Sequence, residues 1–344
     1  MPRKPLARVL VGAVLLLAGL TASGQAPVSV PARDPIDPDT GLPVLAAVLV
    51  TGSQPGPGMW RISHGENTLW LLGTISPLPR RMDWNSADVE AAIVASQQVI
   101  GPPSVSFQGI GRVRGLFLLP ALLGARKNPD DATLEEVLPA PLYDRWRQAK
   151  ARHLPRNRAV ERWRPVFAVQ KLYTEAIEDL GLRFGGVVWP VVERTAKRND
   201  IEIVTPSIEV ELEQPRQAIK AFGRSSLDDL ECFELSLDRL ELDLGNARSR
   251  ALAWAEGDLE RIAALSQVDP GPACIEAVLN SSVISGRGLA DLPQRLRAAW
   301  LDAVDQALAA NAQSFAILPM NFLLGEDGAL ARLQQRGYQV EAPE

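Results

Sequence analysis

Hydrophobic positions along this chain of 344 residues follow three regimes in succession. The first is an uncharged run at 9–20 (VLVGAVLLLAGL), behind Arg3, Lys4 and Arg8 and ahead of Ala22-Ser23-Gly24. A basic stretch, an apolar stretch and a small-x-small site, in that order, make a secretory signal. The run is too short to span a bilayer, which takes roughly twenty apolar residues. Residues 1–24 are therefore expected to be a cleaved export signal, with an uncleaved N-terminal anchor as the alternative. No cysteine follows the run to carry a lipid, and no later stretch reads as a transmembrane helix. A periplasmic or secreted protein is expected.

The second regime, 25–57, is rich in Pro, Gly and small residues. That composition predicts a linker, with 44–50 as its one ordered patch. The third regime, 58–344, carries the folded domain, expected to begin at Met59-Trp60. Two short apolar runs, 60–63 and 69–72, flank His64-Gly65-Glu66-Asn67 and predict a β-hairpin. The second strand runs into Gly73-Thr74-Ile75-Ser76 and a proline-rich turn. Asn85 is expected to cap a helix through Gln97, with Asp88 completing its cap, and 98–100 reads as a strand.

The middle, roughly 107–260, reads as mainly helical. Thr133-Leu134-Glu135-Glu136 and Ser226-Leu227-Asp228-Asp229 have the spacing of capping boxes. Arg164-Pro165 should start a helix that continues through Tyr173 and Ile177. After a helix containing Glu193 and Ala196, residues 201–204 form a β-branched strand. At the end come a strand at 314–318, a turn and helix at 325–335, and a last strand at 338–340. Both 70–100 and 315–340 thus run strand, special turn, helix, short strand. An α/β (α+β) fold is expected: a mixed central sheet covered by helices, two related sheet-building halves, and a mainly helical middle.

Composition narrows the function. The chain is 46% hydrophobic with net charge −5, and losing the three basic residues of the signal leaves 33 basic against 41 acidic side chains. A protein of net −8 does not read as a nucleic-acid binder. Cys232 and Cys274, the only cysteines, could form a disulfide in an oxidising compartment or remain buried thiols. Without a histidine cluster they do not read as a metal site.

The segment MWRISHGENTLWLLGTISPLP resembles the opening of the TraB/GumN family, which includes the Tiki proteins. Four further segments fit the same template in order: ERWRPVFAVQKL, AKRNDIEIV, AWAEGDLERIAAL and FAILPMNFLLGEDGALARLQQRGYQVE. The resemblance implies a mixed sheet covered by helices. It also implies an active centre of two GxxH motifs plus glutamates, which in Tiki members serves a metal-dependent protease. Imidazoles and carboxylates at strand ends can hold a divalent ion that activates water.

This chain departs from that pattern at each ligand position. Ser76 stands where the first motif, begun by Gly73, has histidine. In Pro319-Met320-Asn321-Phe322, Pro319 replaces the glycine and Phe322 the second histidine. Gly101 stands where a glutamate often follows the strand. In Thr205-Pro206-Ser207, Ser207 replaces another, with Glu209 the nearest carboxylate. Serine and phenylalanine in place of both imidazoles offer at best one weak hydroxyl ligand. No metal, other cofactor or catalytic residue is therefore expected, and these positions could line a residual pocket.

Other candidates read more plainly as structure. His64 and His153, the only histidines, are expected to be solvated surface groups. A serine nucleophile at Ser76 or Ser207 would lack a base. The basic stretch 145–164, interleaved with Trp146 and Trp163, reads as a solvated helix face with its tryptophans inward. The acidic helix 228–241 could partner it. Trp254 reads as core and Asp258 as a cap. The reading is an exported, catalytically degenerate member acting as a binding or regulatory module of the cell envelope. Its partner would be an unidentified small molecule, peptide or envelope protein. The alternatives are a metal-dependent hydrolase with a rearranged site and a structural partner in envelope polysaccharide assembly.

Overall fold

Alternation of apolar residues does place the first hairpin: Met59–His64 (β1) and Asn67–Thr74 (β2) pair antiparallel and turn at Gly65-Glu66. In the computed structural model, which describes residues 56–108, 112–211, 214–265, 269–281 and 289–343, this hairpin seeds the main sheet. The expected export signal, and the linker with its 44–50 patch up to residue 55, lie outside the described residues. Gly56 is already tied in ahead of Met59, its N–H donating to the Ala255 carbonyl at 3.1 Å.

After the hairpin come Leu78–Pro79 (β3), Ala87–Val94 (α1), Gln98–Ile100 (β4), Ser104–Gln108 (β5) and Arg112–Ala125 (α2). The helical middle holds Leu134–Val137 (α3), Ala140–His153 (α4) and Pro165–Asp179 (α5), then Leu182–Arg183 (β6) and Trp189–Arg198 (α6). Glu202–Val204 (β7), Ser207–Glu211 (β8), Pro215–Arg224 (α7) and Leu230–Asp238 (α8) follow. Ala247–Ala255 (α9), Leu259–Ala264 (α10) and Gly271–Leu279 (α11) complete that region. The chain closes with Leu292–Ala310 (α12), Gln313–Pro319 (β9), Met320–Leu323 (α13), Ala329–Gln335 (α14) and Gln339–Glu341 (β10).

The main sheet is mixed, in the order β10-β1-β2-β9-β4-β7. Only β1 runs against its neighbours; β2, β9, β4 and β7 are parallel. The two halves read from the sequence leave the central β2–β9 pair in opposite directions. From β2 the chain passes α1 and crosses β9 to reach β4, while from β9 it passes α14 and crosses β2 and β1 to reach β10. Crossovers of the same hand that run opposite ways fall on opposite faces of a sheet. The helix contacts agree, α1 touching α6 and α14 touching α12. β10 lies beside β1, where Arg61 pairs with Glu341 at 3.1 Å and a side chain on Gly58 would strike Pro343.

Two apolar cores result. One surrounds the sheet, with Trp60, Leu71, Ile100, Trp254, Trp300 and Phe315 fully enclosed. The other lies in the helical middle around Trp146, Leu172, Ile177 and Phe233. The tryptophan of the basic stretch is inward there, as expected. The same stretch is not simply solvated, however. Arg145 pairs with Asp238 at 2.6 Å and with Glu241 at 2.9 Å, so the acidic helix does partner it. His153 likewise departs from expectation: its side chain is only 11% exposed and holds Asp179 at 2.8 Å.

Capping explains three differences at helix ends. The Thr133 box forms, with Glu136 accepting from the Thr133 N–H at 2.7 Å, but it caps a single turn. Asn85 does accept from the Ala87 N–H at 3.1 Å, yet the helix itself starts at Ala87 and stops at Val94. Ser226 caps nothing, because α8 starts at Leu230. The buried Asp229 carboxylate is committed instead to the Val166 N–H, at 2.9 Å, in the first turn of α5. Burial raises the Asp229 pKa above the ordinary carboxylate range. Cys232 and Cys274 are disulfide-bonded, stapling α8 to α11 across 42 residues of sequence.

Beyond Gly101 and Thr205 the parallel pair β4–β7 continues as a second parallel pair, β5–β8, which leads into α2 and α7. These two helices pack on each other closely enough that a Cβ on Gly223 would approach the Ala125 backbone to 3.2 Å. They form an arm whose base is tied down by Arg164. This guanidinium, 2% exposed, donates to the carbonyls of Lys127 (3.1 Å), Phe222 (3.0 Å) and Ser225 (2.8 Å). Its pKa is lowered by burial. The carbonyls at 222 and 225 lie at the C-terminal end of α7, where the helix dipole favours a cation.

Candidate functional site

In parallel sheets, ligands bind beyond the carboxyl ends of the strands, and β2, β9, β4 and β7 end side by side. Register places Gly73 opposite Leu318 and Thr74 opposite Pro319. The segments 73–76 and 319–322 therefore leave adjacent strands at the same level. Ile100 pairs with both Ala316 and Val204, and the Gly101 N–H donates to the Val204 carbonyl at 2.8 Å. Gly101 thus stands at the same edge. Of the eight positions grouped from the sequence (Gly73, Ser76, Gly101, Ser207, Glu209, Pro319, Asn321 and Phe322), register sets Gly73, Gly101 and Pro319 at neighbouring strand ends.

Ser207 and Glu209 stand further out. Both belong to β8, where Ser207 is paired with Ser104 and Glu209 with Ser106. They sit on the ribbon that leaves the sheet, Glu209 two residues beyond Ser207.

What closes the strand ends is apolar. A Cβ on Gly73 would come within 2.8 Å of the Trp60 ring and within 3.2 Å of Met320 and Leu323. Only glycine admits that approach. A Cβ on Gly101 would lie 3.1 Å from Thr205 Oγ1 and 3.2 Å from the Trp189 ring. The Gly73 carbonyl accepts the buried Trp254 indole N–H at 2.8 Å, and Trp254 packs on Trp84 with ring centroids 5.4 Å apart. Trp254 is core, as expected, and Asp258 caps α10 by accepting from the Arg261 N–H at 2.8 Å. Above this floor Ser76, Asn321, Ser207 and Glu209 are exposed, while Pro319 and Phe322 are half-buried.

The donor set does not fit a divalent metal. Around the ends of β2 and β9 the replaced positions offer one hydroxyl and one amide, where a site needs several convergent imidazole or carboxylate groups. Among the described residues, no three His, Cys, Asp or Glu side chains are grouped to hold an ion. His64 is at the hairpin turn, edge-on to the Tyr338 ring at 5.4 Å, and His153 ends α4, paired with Asp179 at 2.8 Å. The sequence reading missed Trp189, Met320 and Leu323 as the groups that seal the edge. The small residue at Gly101 was the available signal, read there only as a lost ligand.

A family model described as the TraB/PrgY/gumN family matches residues 58–342. No curated protein and no solved structure matches the chain. With almost the whole folded unit covered in one match, the chain belongs to the TraB/PrgY/gumN family.

Proposed function

We propose that this family member is exported and acts in the cell envelope as a binding or regulatory module, its metal chemistry lost. The observation that carries the reading is the sealed strand edge. Ser76, Gly101, Ser207 and Phe322 occupy the ligand positions, and Trp60, Trp189 and Met320 fill the space behind them. A water-activating ion would need charged or imidazole donors that the edge lacks. Nor does a nucleophile emerge: neither histidine lies at the edge to serve Ser76 as a base. What remains is the exposed Ser76 hydroxyl and Asn321 amide beside an apolar floor, a surface that can bind without reacting.

Two observations support export. The first residues have the order of a secretory signal, and the Cys232–Cys274 disulfide suits an oxidising compartment. A periplasmic or secreted protein is the consequence, binding a small molecule, a peptide or another envelope protein.

Titration of the purified chain with Mn²⁺, Co²⁺ and Zn²⁺ by calorimetry, alongside a peptidase assay on mixed peptides, tests the loss of chemistry. Neither stoichiometric binding nor metal-dependent cleavage is expected. Both together would overturn the reading in favour of a rearranged hydrolase.

A further inference from the structure

We infer that the α2–α7 arm is a docking surface for an anionic phospholipid membrane, an activity separate from anything at the strand ends. From residue 116 to 125, α2 holds no polar side chain. A helix apolar nearly all round is ordinarily buried. This one is not: Phe117 is 75% exposed, and Leu119, Leu122 and Leu123 are exposed with it. One side of it packs on α7, with the buried Ala125 set against Gly223. Exposed large apolar groups clustered on one element mark an interaction surface.

Charge selects the occupant. α7 presents Arg216, Lys220 and Arg224 to solvent, four residues apart along one stripe, and neither helix contains an acidic residue. The chain as a whole is negative, so this combination of exposed apolar and uniformly basic side chains is local to the arm. A second copy of the chain is a poor match. A two-fold contact would bring each arm's basic stripe toward its own like, with no acid in the arm to answer it. Lipid acyl chains accept the leucines and phenylalanine, and phosphate headgroups accept the arginines and lysine. At 14 residues α2 is about 21 Å long, short of a bilayer's hydrocarbon core. Among the described residues no helix is long and apolar enough to cross a membrane, so the arm would lie in the interface plane.

Vesicle flotation tests this with the full chain and with Ser53–Glu344, which forms a compact unit by itself and lacks the apolar run at 9–20. Vesicles are of phosphatidylcholine alone or mixed with phosphatidylglycerol. Both forms are expected to float with the mixed vesicles, less so as salt rises, and to stay down with the neutral ones. Phe117→Ser should weaken binding roughly tenfold or more through the lost apolar contact. Lys220→Gln should weaken it roughly fivefold. Both positions are solvent-facing, and an unchanged melting curve shows that each variant is folded. Three results would overturn the inference: no flotation of Ser53–Glu344, flotation indifferent to phosphatidylglycerol, or wild-type dimerisation in sedimentation that Phe117→Ser abolishes. The last would make the arm a contact between copies.

Discussion

The strand ends and the arm are both apolar, but in opposite senses. At the ends of β2, β9 and β4 the apolar groups face inward and fill the volume where chemistry would sit. On α2 they face outward and nothing described covers them. The family resemblance spoke to the first region and was silent on the second. The lesson is that the packing of one edge says little about where a protein makes contact elsewhere. The retained glycines show this locally. Gly73 and Gly101 are tied to the rings packed against them, so the edge is organised around its plug and is not an emptied site.

Perturbing each region separately should leave the other untouched. The largest effect is expected at the arm's base. Arg164→Met leaves three carbonyls without their buried donor, at about 1–3 kcal/mol for each unmade bond. Urea denaturation reads the loss. Limited proteolysis should then cut between α2 and α3 first, while the strand ends stay protected from amide exchange. Equal loss of protection in both regions would break the comparison.

Reducing the Cys232–Cys274 disulfide comes next. Closing 42 residues of chain is worth about 4 kcal/mol in the chain-entropy account, and the melting temperature with and without reductant measures it. This bond belongs to the helical region, so vesicle binding by whatever remains folded should not change.

Placing a carboxylate at the edge, Gly101→Glu, should cost about 1–3 kcal/mol by overpacking, because Thr205 and Trp189 already occupy that space. Calorimetry should still find no metal site in this variant, and flotation should be unaltered. A gained ion site would show that the plug yields readily, and would erase the contrast drawn here.

The smallest effect is a pH dependence at Asp229. Its pKa rises from an ordinary value of 3.8 on folding, because burial penalises the charged form. A carboxyl raised in this way favours the fold when protonated, and that contribution fades as pH climbs from the ordinary value through the folded one. Asp229→Asn does not titrate there. Stability of the wild type relative to this variant should therefore fall as pH rises from about 4, measured by denaturation across that range. A difference independent of pH would show that Asp229 ionises at no net cost.

Much of the sheet was legible because its strands are short apolar or β-branched runs bounded by turn residues: 60–63, 69–72, 98–100, 201–204 and 314–318. Their type follows from local pattern. Their order does not, since placing β9 between β2 and β4 is a contact across more than 200 residues. Likewise the candidate edge was legible as a set of altered motif positions, but not its filling. Trp189 is remote in sequence from Gly101, and no local signal binds the two. Ser226 misled for a related reason. Its box has the right spacing, yet Asp229 is drawn away by the Val166 N–H on another helix, and a tertiary partner outweighs a local one. His153 was read as solvated because its sequence neighbours are charged, whereas Asp179, the partner that holds it, is 26 residues away.

The meeting of β1 and β10 has a practical consequence for how this chain can be rewired. Gly58 and Pro343 are in contact and Arg61 is bridged to Glu341, so the two extremities of the sheet unit nearly close a ring. Domains whose extremities adjoin tolerate being reopened elsewhere. A short glycine bridge from Pro343 to Gly58, with new termini cut at the exposed Gly325 turn, should fold to the same sheet. Such a permutant would present the unit without residues 1–57 and carry a cargo or a dye at a point of choice.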